Sequence, residues 1–276
     1  MGDRVVMSIE GGVADVRLNR PDKLNALDPA TFAALVDTGE SLKSQPSVRA
    51  VVLSGEGRAF CSGLDFSSFQ SMAGEGERGG TTAPEDTSER GPSIMATDGR
   101  LTHLGQQAAW VWRELPVPVI AAISGPCLGG GLQIALGADL RIVAPDARLS
   151  VLEIRWGLIP DMTGTWVLPR LVGPDVAKEL TWTGRMVSGE EAVRIGLATQ
   201  VADDPRTAAL GLAAELAARS PEAIRHGKRL IDLSTSDGRT VAEQFRDERQ
   251  TMAALIGSPA NIEAVTAYFE KRAPVF

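Results

Sequence analysis

Two glycine-bearing turns hold the residue types best suited to chemistry. GRAFCSGLD runs from Gly57 to Asp65, and GPCLGGG runs from Gly125 to Gly131. Each follows a predicted strand, and the second leads straight into a predicted helix. Glycine lets backbone approach a ligand closely and adopt dihedrals closed to other residues. A helix N-terminus presents free N–H groups at the positive end of its dipole. Together, two such turns can hold an oxygen on which negative charge develops. Taken singly each signal is weak, because three glycines before a helix also serve tight packing.

The elements that must position these turns read from the hydrophobic pattern. VVMSIEGGVADVRLNRP carries two alternating runs around Gly11 and Gly12, which predicts a hairpin. Asp28 and Pro29 suit the N-cap and first position of a helix bearing Phe32, Leu35, Val36 and Leu42, and Pro46 ends that stretch. Ala50 to Leu53 and VIAAIS read as buried strands, and Leu101 to Leu115 as a helix stopped by LPVPV. GPCLGGG reads as a turn, GLQIALGAD as a helix start, and RIVA and ARLSV as further strands. Residues 70–99, rich in Gly, Ser, Thr and charge, read as a mobile surface loop or lid. From Pro174 onward the pattern turns helical, through PDVAKEL, SGEEAVRIG, Pro205 to Arg219, PEAIRHGKRLIDL and Val241 to Leu255. The expectation is an α/β core over residues 1–200 and a helical region over 201–276.

Composition narrows the function. The 276 residues carry 28 Lys+Arg against 35 Asp+Glu, a net charge of −7, which argues against general nucleic-acid binding. Cys61 and Cys127 lie in no CxxC motif, so neither a zinc site nor a disulfide framework is expected. They read as buried small hydrophobes in a reduced, cytoplasmic setting. No signal-peptide apolar region and no run of membrane-spanning length is visible, so no membrane partner is expected. His103 and His226 read as structural or exposed. Trp110, Trp112, Trp156, Trp166 and Trp182 read as core or pocket-wall residues.

The chain resembles the crotonase superfamily, also called enoyl-CoA hydratase/isomerase. LNRPDKLNAL, GRAFCSGLD, PVIAAISGPCLGGGLQIALGADLRI, GLIPDMTGTWVLPRLVG, GRMVSGEEAVRIGLATQV and the terminal AYFEKR carry the likeness, in the family's order and over almost the whole chain. The resemblance implies a spiral of ββα repeats followed by C-terminal helices that build trimers, often paired into hexamers. It implies an acyl-CoA thioester as substrate, with coenzyme A as part of that substrate and no metal or redox cofactor.

It also implies site residues. Two peptide N–H groups, of Leu64 and Gly130, fall where the family stabilises a thioester enolate. Three side-chain positions follow. Gln133 stands where many hydratases place one glutamate, and an amide is no general base. Glu153 stands where the second hydratase glutamate lies. Asp161 stands where hydratases carry glycine. Glu153 with Asp161 resembles the proton-shuttling pair of dienoyl-CoA isomerases, which favours double-bond isomerisation over hydration. Hydration by Glu153 and Gln133, or a non-catalytic acyl-CoA-binding protein, are the competing expectations. A plain capping role for Asp161, at a helix starting near Met162, is a further one. For coenzyme A the resemblance points to Lys23, Leu24, Ala26, Leu64 and Asp65, with Lys271 reaching the phosphates bound by a neighbouring subunit.

Overall fold

The computed structural model describes residues 3–65, 97, 99 and 101–276. The loop expected over 70–99 therefore lies outside the described residues, apart from Thr97 and Gly99.

Strands β1 (Val5–Glu10) and β2 (Val13–Leu18) form the expected hairpin. Gly11 and Gly12 take φ values of 55° and 81°, the doubly positive turn that matches strand twist. Helix α1 (Pro29–Lys43) starts where the sequence placed it, with the Asp28 carboxylate accepting from Thr31 N–H at 2.8 Å. Strands β3 (Ala50–Gly55), β4 (Val119–Ile123), β6 (Leu140–Val143) and β9 (Gln200–Val201) continue from β2 in parallel. The six-stranded order is β1-β2-β3-β4-β6-β9.

The unbroken apolar runs of β3 and β4 are explained by cover on both faces. Val51, Leu53, Val119 and Ala121 share one core with Leu35 and Val36 of α1 and Val111 and Trp112 of α2 (Leu104–Glu114). The alternate residues Val52, Ile120 and Ala122 pack with Ala209 and Ala213 of α7 (Pro205–Ala217). Helix α7 lies beyond residue 200, yet it belongs to the sheet by packing.

A second, smaller sheet joins β5 (Pro126–Leu128), β7 (Arg148–Ser150) and β8 (Val187–Ser188). This corrects the reading of GPCLGGG as a turn alone. Its first half is a strand because Pro126 to Leu128 pair in parallel with Arg148 to Ser150, a partner no local pattern reveals. Helix α3 (Gly130–Leu136) follows at once. Helix α4 (Gly164–Val172) starts two residues later than the helix expected near Met162 and holds Pro169 inside it, and α10 (Pro259–Glu270) closes the chain. Between them stand α5 (Pro174–Thr183), α6 (Gly189–Arg194), α8 (Pro221–Ser234) and α9 (Val241–Leu255). Trp112 is a core residue, whereas Trp156, Trp166 and Trp182 are exposed, Trp182 at the wall of a surface cleft. Arg170 stacks on the Trp166 ring, 3.4 Å from its centroid. No helix among the described residues is long and apolar enough to cross a membrane.

Candidate active site

The two glycine turns meet through a single parallel bridge between Cys61 and Cys127. Cys61 N–H donates to Pro126 O at 3.1 Å, and Leu128 N–H donates to Cys61 O at 2.9 Å. Both thiols are fully buried. Burial pushes Cys61 up to about 12 and Cys127 well above its ordinary value, so both stay neutral and inert. Three residues beyond the bridge, the two segments reach Leu64 and Gly130.

The direction of the Leu64 amide follows from Gly63. Ser62 N–H points to the 24–27 turn, donating to Leu24 O at 2.9 Å. In a regular strand Leu64 would point the same way. Instead Gly63, at φ 92°, shifts the alternation by one residue. Gly63 O accepts from Leu27 N–H at 2.8 Å and Asp65 N–H donates to Leu27 O at 2.9 Å. The Leu64 N–H is thereby turned to the opposite side, the side of β5. Gly130 is the first residue of α3, so its N–H has no partner within the helix. Neither amide makes a hydrogen bond to another described residue. Gly131 allows the approach: a Cβ there would lie 2.6 Å from Cys61 O.

The carboxylate side is organised by Gln133. This side chain is buried on the first turn of α3. Its Oε1 accepts from Met162 N–H at 2.8 Å and from Gly164 N–H at 3.0 Å. Its Nε2 donates to Glu153 Oε1 at 2.6 Å. Gln133 thus ties α3 to the start of α4 and aims the glutamate. Glu153 opens a 3-10 turn, Glu153–Trp156, and its Oε2 is buried with no hydrogen-bond partner among the described residues. Burial raises its pKa above the ordinary glutamate value, and the nearby negative charge of Asp161 adds to this, while the Gln133 hydrogen bond opposes it. The carboxylate lies against the helix start, since a Cβ on Gly129 would sit 3.6 Å from Glu153 Oε1. Such pKa perturbation inside a built geometry marks functional sites.

Asp161 is exposed and does not cap a helix. Helix α4 begins at Gly164 behind Thr163, which takes φ 71° and makes no side-chain cap. The capping role for Asp161 is therefore set aside. Its charge bears on Glu153 instead.

The turn carrying Lys23, Leu24 and Ala26 lies beside the Ser62–Asp65 segment, Ser62 N–H donating to Leu24 O at 2.9 Å. Leu24 and Asn25 both adopt left-handed backbone, at φ 52° and 56°. Two residues absent from the sequence reading hold this turn. Asn25 is 1 % exposed, accepts from Arg20 N–H, and donates to Glu56 O and Ala59 O at 3.0 and 2.8 Å. Arg20 donates to Ala26 O at 2.7 Å, pairs with Asp65 at 3.0 Å and lies 3.4 Å from Asp28. Asp65 is thus a partner of Arg20, which ties the turn to the residues just after Gly63. The signal for Asn25 was the asparagine itself, a residue that tolerates left-handed backbone. Lys271 ends α10 at the other extreme of the chain, exposed and at φ 56°, apart from these elements in sequence and in described contacts.

The model of the family described as enoyl-CoA hydratase/isomerase matches residues 13–274. The chain belongs to the enoyl-CoA hydratase/isomerase family. Among curated relatives, it is 36% identical over 242 residues to the Mycobacterium tuberculosis protein named probable enoyl-CoA hydratase EchA14, covering 88% of this chain and 86% of that one. It is 30% identical to the (E)-benzylidenesuccinyl-CoA hydratase of Thauera aromatica, covering 99% of this chain and 98% of that one. Among solved structures, the enoyl-CoA hydratase from Bacillus anthracis superposes with a TM-score of 0.84 at 30% identity, covering 99% and 98% of the two chains. This membership confirms the crotonase-type fold and an acyl-CoA-processing enzyme. Within an enoyl-CoA hydratase/isomerase, the arrangement offers two directed amides and one buried carboxylate beside them.

Proposed function

We propose that this enzyme moves a double bond in an enoyl-CoA thioester, with Glu153 and Asp161 as proton carriers. The observation that carries the reading is the use of Gln133. Its Oε1 accepts from Met162 and Gly164 and its Nε2 donates to Glu153, so it braces the glutamate, and as an amide it takes no proton. One free carboxylate oxygen, Glu153 Oε2, remains to face substrate.

In this mechanism the thioester oxygen sits between the Leu64 and Gly130 amides. Glu153 removes a proton from the carbon next to the thioester carbonyl. The electron pair moves onto that oxygen, which the two donors stabilise as an enolate; one such donor contributes about 10²–10³ in rate. Asp161, in its protonated form, gives its proton to the carbon two positions further along, the electrons flow back and the double bond comes into conjugation; exchange with solvent then takes the proton from Glu153 and returns one to Asp161. Lys23, Leu24, Ala26 and Asp65 line the path of coenzyme A, which arrives as part of the substrate.

A second reading, hydration of a 2-enoyl-CoA, is favoured by the names of the relatives. The variant Asp161→Asn separates the two. Under isomerisation it lowers conversion of 3- to 2-enoyl-CoA by about 10²-fold or more, and wild-type enzyme in deuterated water yields a labelled 2-enoyl product without the mass of water. A 3-hydroxyacyl product that forms equally well in Asp161→Asn would establish hydration and sink the isomerase. Tight binding with neither product would point to a non-catalytic acyl-CoA-binding protein.

The reading extends to assembly as a homotrimer or a pair of trimers. Helices α9 and α10 and the turn between them expose Phe245, Met252, Ile256, Ile262, Tyr268 and Phe269, each more than half accessible. An apolar face of this kind is normally covered by a partner. Sedimentation should give three or six chains per particle, and Tyr268→Asp with Phe269→Asp should shift it toward one. A monodisperse wild-type monomer would refute the assembly. Lys271, on this same segment, would then stand beside a neighbour's coenzyme A.

A further inference from the structure

Helix α8 stands off the core over a cleft of about 460 Å³ that lies at the far end of α3 from the catalytic residues. Apolar side chains line its walls: Leu136 of α3, Val167 and Leu171 of α4, Leu216 of α7 and Ile224 of α8. One wall carries Arg141, which is 4 % exposed. Arg141 Nε donates to Leu197 O and Nη1 to Ala138 O, both at 2.8 Å. Its Nη2 has no hydrogen-bond partner among the described residues, and no carboxylate there forms an ion pair with it.

The neighbouring charges are otherwise spent. Asp139 pairs with Lys228 at 2.8 Å and accepts from Val119 N–H. Asp232 pairs with Arg113 at 3.2 Å. Within the cleft lining the balance of Arg113, Arg141 and Lys228 against Asp139 and Asp232 is three cations to two anions. The negative charge of Asp139 acts on Arg141 through space without an ion pair between them, and the Nη2 donors, unpartnered and not fully enclosed at the cleft wall, are available to an anion. Burial lowers the Arg141 pKa only to about 10, so it remains charged at neutral pH.

Gly227 is the second, independent observation. It lies mid-helix in α8, where glycine is less favourable than alanine. It lines the cleft, and a Cβ there would meet nothing within 4 Å. The open space is not forced by any packing constraint at that glycine.

We infer that this cleft is a binding site for an amphiphilic carboxylate, its carboxylate on Arg141 and its hydrocarbon body along the α3–α4–α8 walls. Its volume lies in the range of small-molecule sites. The site is separate from the thioester site and does not depend on the reaction proposed for it.

The test is calorimetric titration of the intact protein with decanoate and, as a neutral control, decanol. Decanoate should bind roughly 10- to 100-fold tighter than decanol, the share of a charge-assisted hydrogen bond. Gly227→Leu places a large apolar side chain and a good helix former at the cleft lining. It should abolish decanoate binding while leaving the unfolding temperature unchanged or higher and turnover of acyl-CoA intact. Arg141→Gln should remove the preference over decanol, and Gly227→Leu keeps the test decisive if that variant folds poorly. Equal binding of the two ligands, decanoate binding unaffected by Gly227→Leu, or its displacement by an unreactive thioether analogue of acyl-CoA would each overturn the inference.

Discussion

Glu153→Gln is expected to lower turnover of an enoyl-CoA by about 10²–10⁴-fold, the usual share of a general acid–base group. Binding of the thioester should stay within a few-fold, because the amides of Leu64 and Gly130 and the 23–27 turn are untouched. Steady-state kinetics with a direct binding measurement checks both halves, and retained turnover would remove Glu153 from the chemistry. The same variant should be more stable than wild type at neutral pH. The Glu153 pKa is raised in the folded state by burial. A raised carboxylate stabilises the fold fully only below its unfolded value of about 4.5, and that contribution is lost as pH rises through the folded value. At pH 7 the buried charge is a burden, which the glutamine lacks. The unfolding temperatures of wild type and variant should therefore diverge as pH climbs from 4.5 and converge below it. Activity of the wild type should fall on its acid side as Glu153 gains a proton and ceases to act as a base.

Gln133→Leu carries the largest expected loss of stability. It removes the acceptor of two buried backbone donors, Met162 N–H and Gly164 N–H, and the donor to Glu153. Each buried group left unpaired costs about 1–3 kcal/mol, so for the three groups the sum is roughly 3–9 kcal/mol. Denaturant unfolding reads this directly, and a loss below about 1 kcal/mol would mean that water replaces the amide without penalty. Gln133→Glu should lose less, since a carboxyl oxygen still accepts from both amides. Its second oxygen would face Glu153 Oε1, and the two carboxyls would have to share a proton. The acid limb of activity should then move to higher pH.

The contrast between Glu153 and Gln133 shows where sequence reasoning ran out. Family resemblance located both positions, and the hairpin at Gly11–Gly12 and the Asp28 cap followed from local turn and capping chemistry. That Gln133 spans α3 and α4 depends on partners 29 and 31 residues away. No period or propensity encodes such a contact. Strand β5 was missed for the same reason, its pairing partner being a three-residue segment beginning at Arg148. Asn25 was overlooked because it donates to carbonyls 31 and 34 residues away, and Arg20 because its carboxylate partner Asp65 lies 45 residues away. Asp161 stayed ambiguous until the helix start at Gly164 showed that nothing needed capping there.

The phase shift at Gly63 bears on how this site tolerates change. The donor at position 64 is main chain, so its side chain is free to be reshaped for whatever acyl or pantetheine surface it meets, and Leu64 is 41% exposed. The aim of that donor is set one residue earlier, by a glycine whose φ of 92° suits few other residues and whose Cβ would lie 3.0 Å from Leu128 O. If the Leu64 amide serves as proposed, position 64 should accept other side chains while position 63 should not.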